Sequence, residues 1–497
     1  MTAPRPHLIV SLPARTVEEA TVQLAAARDG GADAAEIRVD RWTEEERGGL
    51  DRLFPSVLPL IATYRSRAEG GEGEDDAATR WKVFEHLAAR PFRWIDLEFA
   101  RDLLLLDRLP PVEQLGRIIS CHFADGPRGL WRSRLKDLET AEGIGKLVVR
   151  ASVGEALYDV VPQAMRLGGS VVVHTTGPSG PLLRLWARRL GLPFVYAALP
   201  ASAHATPVEP SQLEVDRLKP FLDREETPPA FAICGRPVAH SLSPGIHTRW
   251  MREDDRVGLY VTLEFGDEGE FVDALGPLAE GGFRGLNITH PLKLIACEAA
   301  TDLGAGARTC GAANCLTFRD GAITAENTDL LAILRRLEEL RDSGHWDGSS
   351  LAVLGAGGAA RATLAAAREL GAKATVYARR SFAARELAEA FEAQVGGLSD
   401  TPAPGLVVHA TNVGRDPGAT LEIPLERLLS PRSYVVDWVY SPADPVIRET
   451  VRRASGTYED GWRLLVYQAA ASYEIWWGRP PGETSVARLV EEAPCEG

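Results

Sequence analysis

A chain of 497 residues holds two to four domains at about 150 residues each, enough for every domain to bury its own core. Hydrophobic residues make up 45% and charged residues 25%, the proportions of an ordinary folded enzyme, which excludes collagen-like and wholly disordered architectures. Lys and Arg number 55 against 69 Asp and Glu, and a net charge of -14 repels polyanions, so no nucleic-acid partner is expected.

In chain order, eight short apolar runs each open a unit that continues through a turn into a helical stretch: HLIVSL from His7, AAEIRVD from Ala34, LPLIATYR from Leu58, RWIDLEF from Arg93, RIISCHF from Arg117, GKLVVRA from Gly145, GSVVVHT from Gly169 and PFVYAAL from Pro193. Helical periodicity marks Val17 to Arg28, Ala77 to Ala89, Gly154 to Leu167 and Leu182 to Leu190. Eight β-then-α units suit a closed (β/α)8 barrel over residues 1–225 better than an open sheet. FLDREETPPA, from Phe221, then reads as a boundary. Residues 226–497 carry further strands at α/β spacing and the segment SLAVLGAGGAARATLAAARELG from Ser350, a strand, glycine turn and helix. The expected fold class is α/β, a barrel followed by a two-lobed domain: 226–330 and 465–497 form one lobe, and 331–464 a Rossmann nucleotide-binding lobe. No run approaches the length of a membrane span, and MTAPRPHLIVSLPART does not read as a leader, so the expected address is cytoplasmic, with no membrane partner. The 6 cysteines (Cys121, Cys234, Cys297, Cys310, Cys315, Cys495) form no C-x-x-C pair, so reduced thiols are expected and a structural metal is not. Oligomeric state is not legible.

Barrel strands are expected to be apolar, yet these carry Glu36, Arg38, Arg65, Asp96, Glu98, His122 and Lys146. Taken singly, each is as well explained by a structural ion pair. Taken together they point to an active site at the strand ends. A lysine among arginines in a desolvated pocket is a candidate imine-forming nucleophile, and a nearby histidine a proton shuttle. The strings E-x-R-x-D (Glu36, Arg38, Asp40), T-Y-R with E-G-G (Arg65, Glu69, Gly70, Gly71), I-D-L-E (Asp96, Glu98), S-x-H-F (Ser120, His122), Lys146 and G-x-x-G-x-x-x-R (Gly177, Gly180, Arg184) resemble the type I 3-dehydroquinate dehydratases. The resemblance implies that Lys146 forms an imine with the ketone of 3-dehydroquinate and that His122 moves protons with help from Glu69. It also implies that Arg184 pairs the substrate carboxylate bidentately while Glu36, Arg38 and Arg65 hold hydroxyls. The sequence departs from that family at its lid, where Ala205-Thr206-Pro207-Val208-Glu209 stands for S-A-P-G-Q, and at Leu183, where the family has serine.

In the second part, the helix that opens at GAGGAAR (Gly355 to Arg361) offers backbone N–H groups to a pyrophosphate, with Gly355, Gly357, Gly358 and Ala359 as the cradle. The following strand ends in Arg379 and Arg380 where an NAD enzyme places an acid, so NADP(H) is the expected cofactor. G-R-P-V-x-H-S-L-S-P-x-x-H (Gly235 to His247), N-I-T-H-P-x-K (Asn287 to Lys293), G-A-x-N (Gly311 to Asn314), N-T-D (Asn327 to Asp329), A-T-N-x-G (Ala410 to Gly414), D-x-x-Y-x-P (Asp437 to Pro442) and D-G-x-x-x-L-x-x-Q-A (Asp460 to Ala469) resemble shikimate dehydrogenase, in family order. The resemblance implies that Ser241 and Ser243 bind a substrate carboxylate, and that Lys293 and Asp329 form a proton-relay pair. Asn287, Thr289, Asn314, Tyr440 and Gln468 contact the substrate, and Thr411 and Gly461 the cofactor. Read alone, Asp329 is a helix N-cap after Thr328. Thr248 and Ala378 each stand where the family has asparagine, and His290 departs within the catalytic turn.

The two resemblances make consecutive steps of the shikimate route, a lyase followed by an oxidoreductase. Two alternatives stand beside this reading: a quinate/shikimate dehydrogenase with a weak barrel, and a metabolite-sensing fusion without chemistry.

Overall fold

The computed structural model describes residues 4–123, 130–397, 405–411, 413, 421–423, 425–440 and 445–492. Cys495, Asn412 and Gly414 of the A-T-N-x-G string, and Pro442 lie outside them. The chain forms two compact units, Met1–Ala230 with Val257–Gly282, and Phe231–Arg256 with Phe283–Gly497.

The first unit holds eight strands: β1 (His7–Leu12), β2 (Ala34–Arg38), β3 (Leu60–Thr63), β4 (Trp94–Glu98), β5 (Gly116–Phe123), β6 (Ile144–Arg150), β7 (Val171–Thr176) and β8 (Phe194–Ala197). Their order runs from β7 down to β1 and on to β8, all pairs parallel, a nearly closed barrel. Alternation of side chains along a strand fixes the layering of its interior. Ile9, Ala34, Ile61, Ile118, Val172, Phe194 and Tyr196 form one buried apolar cluster, with Trp94 and Ile144 packed against it. Two residues further along their strands stand Ser11, Glu36, Thr63, Asp96, Ser120, Lys146 and His174, every one of them buried. A polar layer thus lies directly on an apolar floor, and Arg38, Arg65, Glu98 and His122 follow two residues later again.

The expected helices are present at Val17–Asp29 and Ala77–Ala88, N-capped by Thr16 and Asp76, and Val153 to Leu167 is helical with one wide turn at Ala156–Val160. The stretch expected to be helical from Leu182 to Leu190 is instead Gly180–Leu185. It stops at Trp186, whose indole N–H is drawn to the carbonyl of Gly281 at 2.7 Å. Strand β10 (Leu259–Glu264) and the helix Glu268–Glu280 also belong to this unit, where Glu270 accepts the amide of Gly154 at 2.7 Å.

In the second unit, β9 (Ala230–Gly235), β11 (Phe283–Ile288), β13 (Cys315–Arg319), β14 (Ala322–Glu326) and β12 (Asp302–Leu303) neighbour one another in that spatial order. A second sheet, all parallel, runs β17 (Gln394–Val395), β16 (Lys373–Tyr377), β15 (Ser350–Leu354), β18 (Leu406–His409), β19 (Tyr434–Asp437), β20 (Thr457–Glu459). Strand order reverses between β15 and β18, and open α/β sheets bind ligands outside the strand ends at such a point. Among the described residues no helix is long and apolar enough to cross a membrane. Cys121, Cys234, Cys297, Cys310 and Cys315 are buried free thiols.

Candidate active sites

Lys146 projects from β6 into the polar layer of the barrel. The sequence places it among arginines; the structure places its ammonium between two carboxylates, Asp96 Oδ2 at 3.1 Å and Glu36 Oε1 at 3.6 Å. Strand register is the reason: β2, β4 and β6 each turn an inward residue to the same height. Both carboxylates have further donors. Glu36 accepts from Ser11 at 2.7 Å and Thr63 at 2.8 Å, and Asp96 from Ser120 at 2.6 Å and Arg65 at 2.7 Å. Burial alone would raise the Asp96 carboxyl, but Arg65 and Lys146 outweigh it and hold the group well below the usual carboxylate range.

His122 stands one inward position beyond Ser120, which pairs in register with Lys146. Glu69 braces it: Oε2 accepts the His122 backbone N–H at 3.0 Å and lies 3.0 Å from Nδ1. With Oε2 already an acceptor, Nδ1 carries the hydrogen and Nε2 presents a lone pair, as a general base requires. Burial, with Arg65 and Lys146 nearby, keeps His122 neutral, well below its ordinary value. Burial pushes Glu69 up to about 7 from 4.5. Dehydration is therefore expected to speed up as pH rises through about 7, where Glu69 becomes a full acceptor for Nδ1–H. A pH–rate profile of Glu69→Gln is expected to lack that limb. The sign for stability is opposite: a carboxyl whose folded value exceeds its ordinary 4.5 gives up stability as pH climbs from there toward 7, and the glutamine variant escapes this loss.

The arginines are less free than a substrate-holding role implies. Arg65 is enclosed by Asp96, Ser120 at 2.8 Å, and Glu69 and Glu98 at 3.4 Å. Arg38 makes a two-point pair with Asp40, at 2.8 and 2.7 Å. Arg184, buried in its helix, spends Nε on the carbonyl of Tyr196 and Nη1 on those of Thr175 and Gly180. Only Nη2 remains, with Glu209 Oε2 at 3.6 Å. The bidentate grip expected of Arg184 is thus corrected to a single remaining nitrogen, because three backbone carbonyls fix the guanidinium. Glu209 already occupies that side, and also accepts from the amide and hydroxyl of Ser211.

In the second unit, Asn327 accepts from the amide of Leu330 at 3.0 Å and caps the helix Thr328–Asp342. The N-cap is Asn327, so Asp329 is not the cap residue and its side chain is free to act elsewhere. It meets Lys293, the first residue of the helix after β11, with Nζ to Oδ2 at 2.5 Å. Asn314 Nδ2 donates to Asp329 Oδ1 at 2.9 Å, and to Gln468 Oε1 at 3.4 Å, while Thr328 N donates to Asn314 Oδ1 at 2.6 Å. Asn287 donates to Ser472 at 2.8 Å.

One cavity of 810 Å³ is lined by Ser243, Asn287, Thr289, Lys293, Asn314, Asp329, Tyr440 and Gln468, and equally by Gly355, Gly357, Gly358, Ala359, Arg379, Arg380, Thr411 and Gly461. Ser241 is not on that lining; its hydroxyl accepts the amide of Ser243 at 3.3 Å. The glycine turn fits a pyrophosphate cradle. Gly355 has φ +126, and a Cβ there would stand 2.4 Å from the carbonyl oxygen of Ala410, whereas one on Gly357 would meet nothing within 4 Å. A Cβ on Gly358 would lie 2.7 Å from Lys293 Cδ, so the turn and the relay lysine touch. Gly355→Ala combines a left-handed backbone with that clash, and a fluorescence titration is expected to show cofactor affinity falling about tenfold or more. Arg379 and Arg380 are exposed at the cavity rim, Arg379 3.4 Å from Glu422.

Ser11, His174 and Tyr196 in the barrel and Ser472 in the second unit lie outside every quoted motif, and Thr63 and Thr328 stand within motifs that gave them no role of their own. Alternation was an available signal for the barrel set: His174 stands two residues after Val172, as Lys146 stands two after Ile144.

A barrel with a polar interior, joined to a two-lobed fold whose cleft unites a glycine turn with a lysine–aspartate pair, defines a fused lyase–dehydrogenase architecture. Residues 8–227 match the type I 3-dehydroquinase family, and residues 233–316 the shikimate dehydrogenase substrate-binding domain. A shikimate dehydrogenase (NADP(+)) of Ruegeria sp. (strain TM1040) is 33% identical over 270 residues, 52% of this chain and 96% of that protein. One from Methanothermobacter thermautotrophicus is 36% identical over 262 residues, 50% of this chain and 91% of its own length. The bifunctional 3-dehydroquinate dehydratase/shikimate dehydrogenase, chloroplastic, of Arabidopsis thaliana is 26% identical over 502 residues, 94% of this chain and 81% of that protein. The chain belongs to the bifunctional type I 3-dehydroquinate dehydratase/shikimate dehydrogenase family.

Proposed function

We propose that this chain carries out two consecutive steps, dehydration of 3-dehydroquinate through an imine at Lys146 and NADPH-dependent reduction of the resulting 3-dehydroshikimate to shikimate. The observation that carries the reading is that one chain holds both a buried lysine beside a neutral, carboxylate-braced imidazole and a lysine–aspartate pair touching a glycine turn.

In the barrel, the imine at Lys146 draws electrons from the neighbouring C–H bond. His122 Nε2 takes that proton and returns it to the departing hydroxyl, which leaves as water. Glu69 holds the ring in the reactive tautomer. Glu36, Arg38, Arg65 and Arg184 surround the reactant with fixed charge, preorganised by their own partners.

In the second unit, Lys293 and Asp329 hold the proton that the carbonyl oxygen receives. Asn287, Thr289, Asn314, Tyr440 and Gln468 orient the ring, and Ser241 and Ser243 bind its carboxylate. Bound NADPH supplies a hydride; Gly355, Gly357, Gly358, Ala359, Thr411 and Gly461 would hold its body, and Arg379 with Arg380 its 2′-phosphate. Replacing both arginines by alanine is expected to raise KM for NADPH about a hundredfold while leaving KM for NADH nearly unchanged. Steady-state kinetics with each cofactor checks this.

The barrel domain is assigned to 1–225 and the dehydrogenase to 226–497, in a cytoplasmic protein with small-molecule partners only. A steady-state assay tests the whole reading: the purified chain, 3-dehydroquinate and NADPH, with no separate dehydratase added. Oxidation of NADPH is expected. Its absence, with 3-dehydroshikimate still reduced, would remove the barrel's role.

A further inference from the structure

Two polar side chains buried beside Lys146 take no part in the steps above. Tyr196, on β8, turns its ring face to the lysine, with Nζ 3.9 Å from the ring centroid. His174, on β7, meets the same ring edge to face, centroids 5.9 Å apart at 85°. The imidazole is 1% exposed and the tyrosine 3%. Nδ1 and Nε2 of His174 and the Tyr196 hydroxyl are all shut off from solvent, and none has a hydrogen-bond partner among the described residues.

Buried polar groups are almost always satisfied, and one left unmet bears its full desolvation penalty. Three such atoms on two touching rings mark a place where something else supplies the partner. The polar layer around them is otherwise saturated: Glu36, Asp96, Ser120 and Arg65 all have protein partners. Burial, reinforced by Arg184 and Lys146, holds His174 neutral, and burial holds the Tyr196 phenol protonated. Together they offer an imidazole N–H and a phenol O–H as donors, and an imidazole nitrogen and a phenol oxygen as acceptors. Such a set recognises a neutral hydroxyl or a water. It has no charge to give a carboxylate.

Imine chemistry at Lys146 generates that ligand. Lys146 first passes one ammonium proton to His122 Nε2; the freed lone pair then forms a C–N bond to the ketone carbon, and one N–H proton moves to the oxygen, leaving a carbinolamine hydroxyl. The C–O bond then breaks, the oxygen takes a further proton from His122 and leaves as water, and the nitrogen lone pair closes the C=N bond. Hydrolysis runs the same steps backwards, with one water returning.

We propose that His174 and Tyr196 hold the oxygen that leaves and returns at Lys146, hydrogen-bonding the carbinolamine hydroxyl and the water it becomes. The proposal rests on the reading of Lys146 as the imine-forming residue. It divides the labour in the barrel, with His122 and Glu69 moving protons and the Tyr196–His174 pair holding the oxygen in place.

The test uses the full chain with 3-dehydroshikimate in ¹⁸O-labelled water, following exchange of the ketone oxygen and borohydride trapping at early times, and with 3-dehydroquinate in deuterated water, following hydrogen exchange at C2, the carbon beside the ketone from which His122 takes its proton. Tyr196→Phe keeps the ring over the lysine and deletes only the hydroxyl. It is expected to slow oxygen exchange and trapping about tenfold, with reduction by NADPH unchanged. C2 exchange is expected to fall no further than its dependence on imine formation requires. His174→Leu is expected to act likewise, and His174→Gln, which keeps a donor and an acceptor, to recover part of the loss even if the leucine variant folds poorly. Oxygen exchange and trapping at wild-type rates in Tyr196→Phe would overturn the proposal. So would a loss confined to C2 exchange. Failure of the wild-type chain to be trapped at all would instead refute the imine at Lys146, and the two failures are thereby distinguished.

Discussion

Lys146→Ala is expected to lower dehydration of 3-dehydroquinate by at least about three orders of magnitude, and to abolish borohydride trapping, while reduction of added 3-dehydroshikimate proceeds at the wild-type rate. Among the described residues Lys146 is the one buried lysine, so no second amine stands ready to replace it. The inward neighbours of Lys146 are carboxylates, hydroxyls, an imidazole and a phenol. Removing one partner of a buried ion pair ordinarily costs about 3–5 kcal/mol. Here the carboxylates left behind keep other donors, Asp96 from Arg65 and Ser120, and Glu36 from Ser11 and Thr63. The destabilisation is therefore expected at or below the lower end of that range, and a folded, inactive barrel should be recoverable. A denaturant titration alongside the activity assay separates the two effects. Undiminished dehydration in the folded variant would remove Lys146 from the chemistry.

The second large effect belongs to the reductase. Lys293→Ala is expected to reduce its kcat by about 10²- to 10⁴-fold, the span for losing a positioned proton donor, with dehydration untouched. Asp329→Asn should fall in the same direction but less far. Asparagine preserves the shape beside Lys293 and the contact with Asn314 while removing the charge that now accepts at 2.5 Å. The split between the parameters is diagnostic. A residue that serves proton delivery changes kcat, whereas loss of a binding contact changes KM. Because Lys293 Cδ lies against the glycine turn, cofactor affinity must be measured in the same variant. Wild-type kcat with raised KM would reassign Lys293 to binding.

Much of this organisation is legible along the chain because it depends on near neighbours. Eight apolar runs at regular spacing each become one barrel strand, since strand and helix periodicities are local properties. The glycine turn is legible for the same reason, as Gly355 needs a conformation that a side chain resists. The identity of the chemistry-bearing residues came from short strings whose members lie within a few positions of one another, such as Asn327, Thr328 and Asp329. Even there, the N-cap is Asn327, two residues before Asp329, and an interior helix ends at Leu185, where Trp186 reaches a carbonyl far along the chain.

Partnership is another matter. Lys146 was expected among cations and lies against carboxylates from strands that precede it by 50 residues and more, because inward-facing height around the barrel, not distance along the chain, selects the neighbour. Arg184 has one nitrogen to spare instead of two, since the backbone of two other segments claims the rest. Alternation marks His174 and Tyr196 as inward-facing, but nothing in either apolar run tells that their polar atoms meet no partner. Local pattern specifies which side chain turns inward; which charge or ring it then meets is a property of the closed barrel, where remote strands are brought to one level and water is excluded.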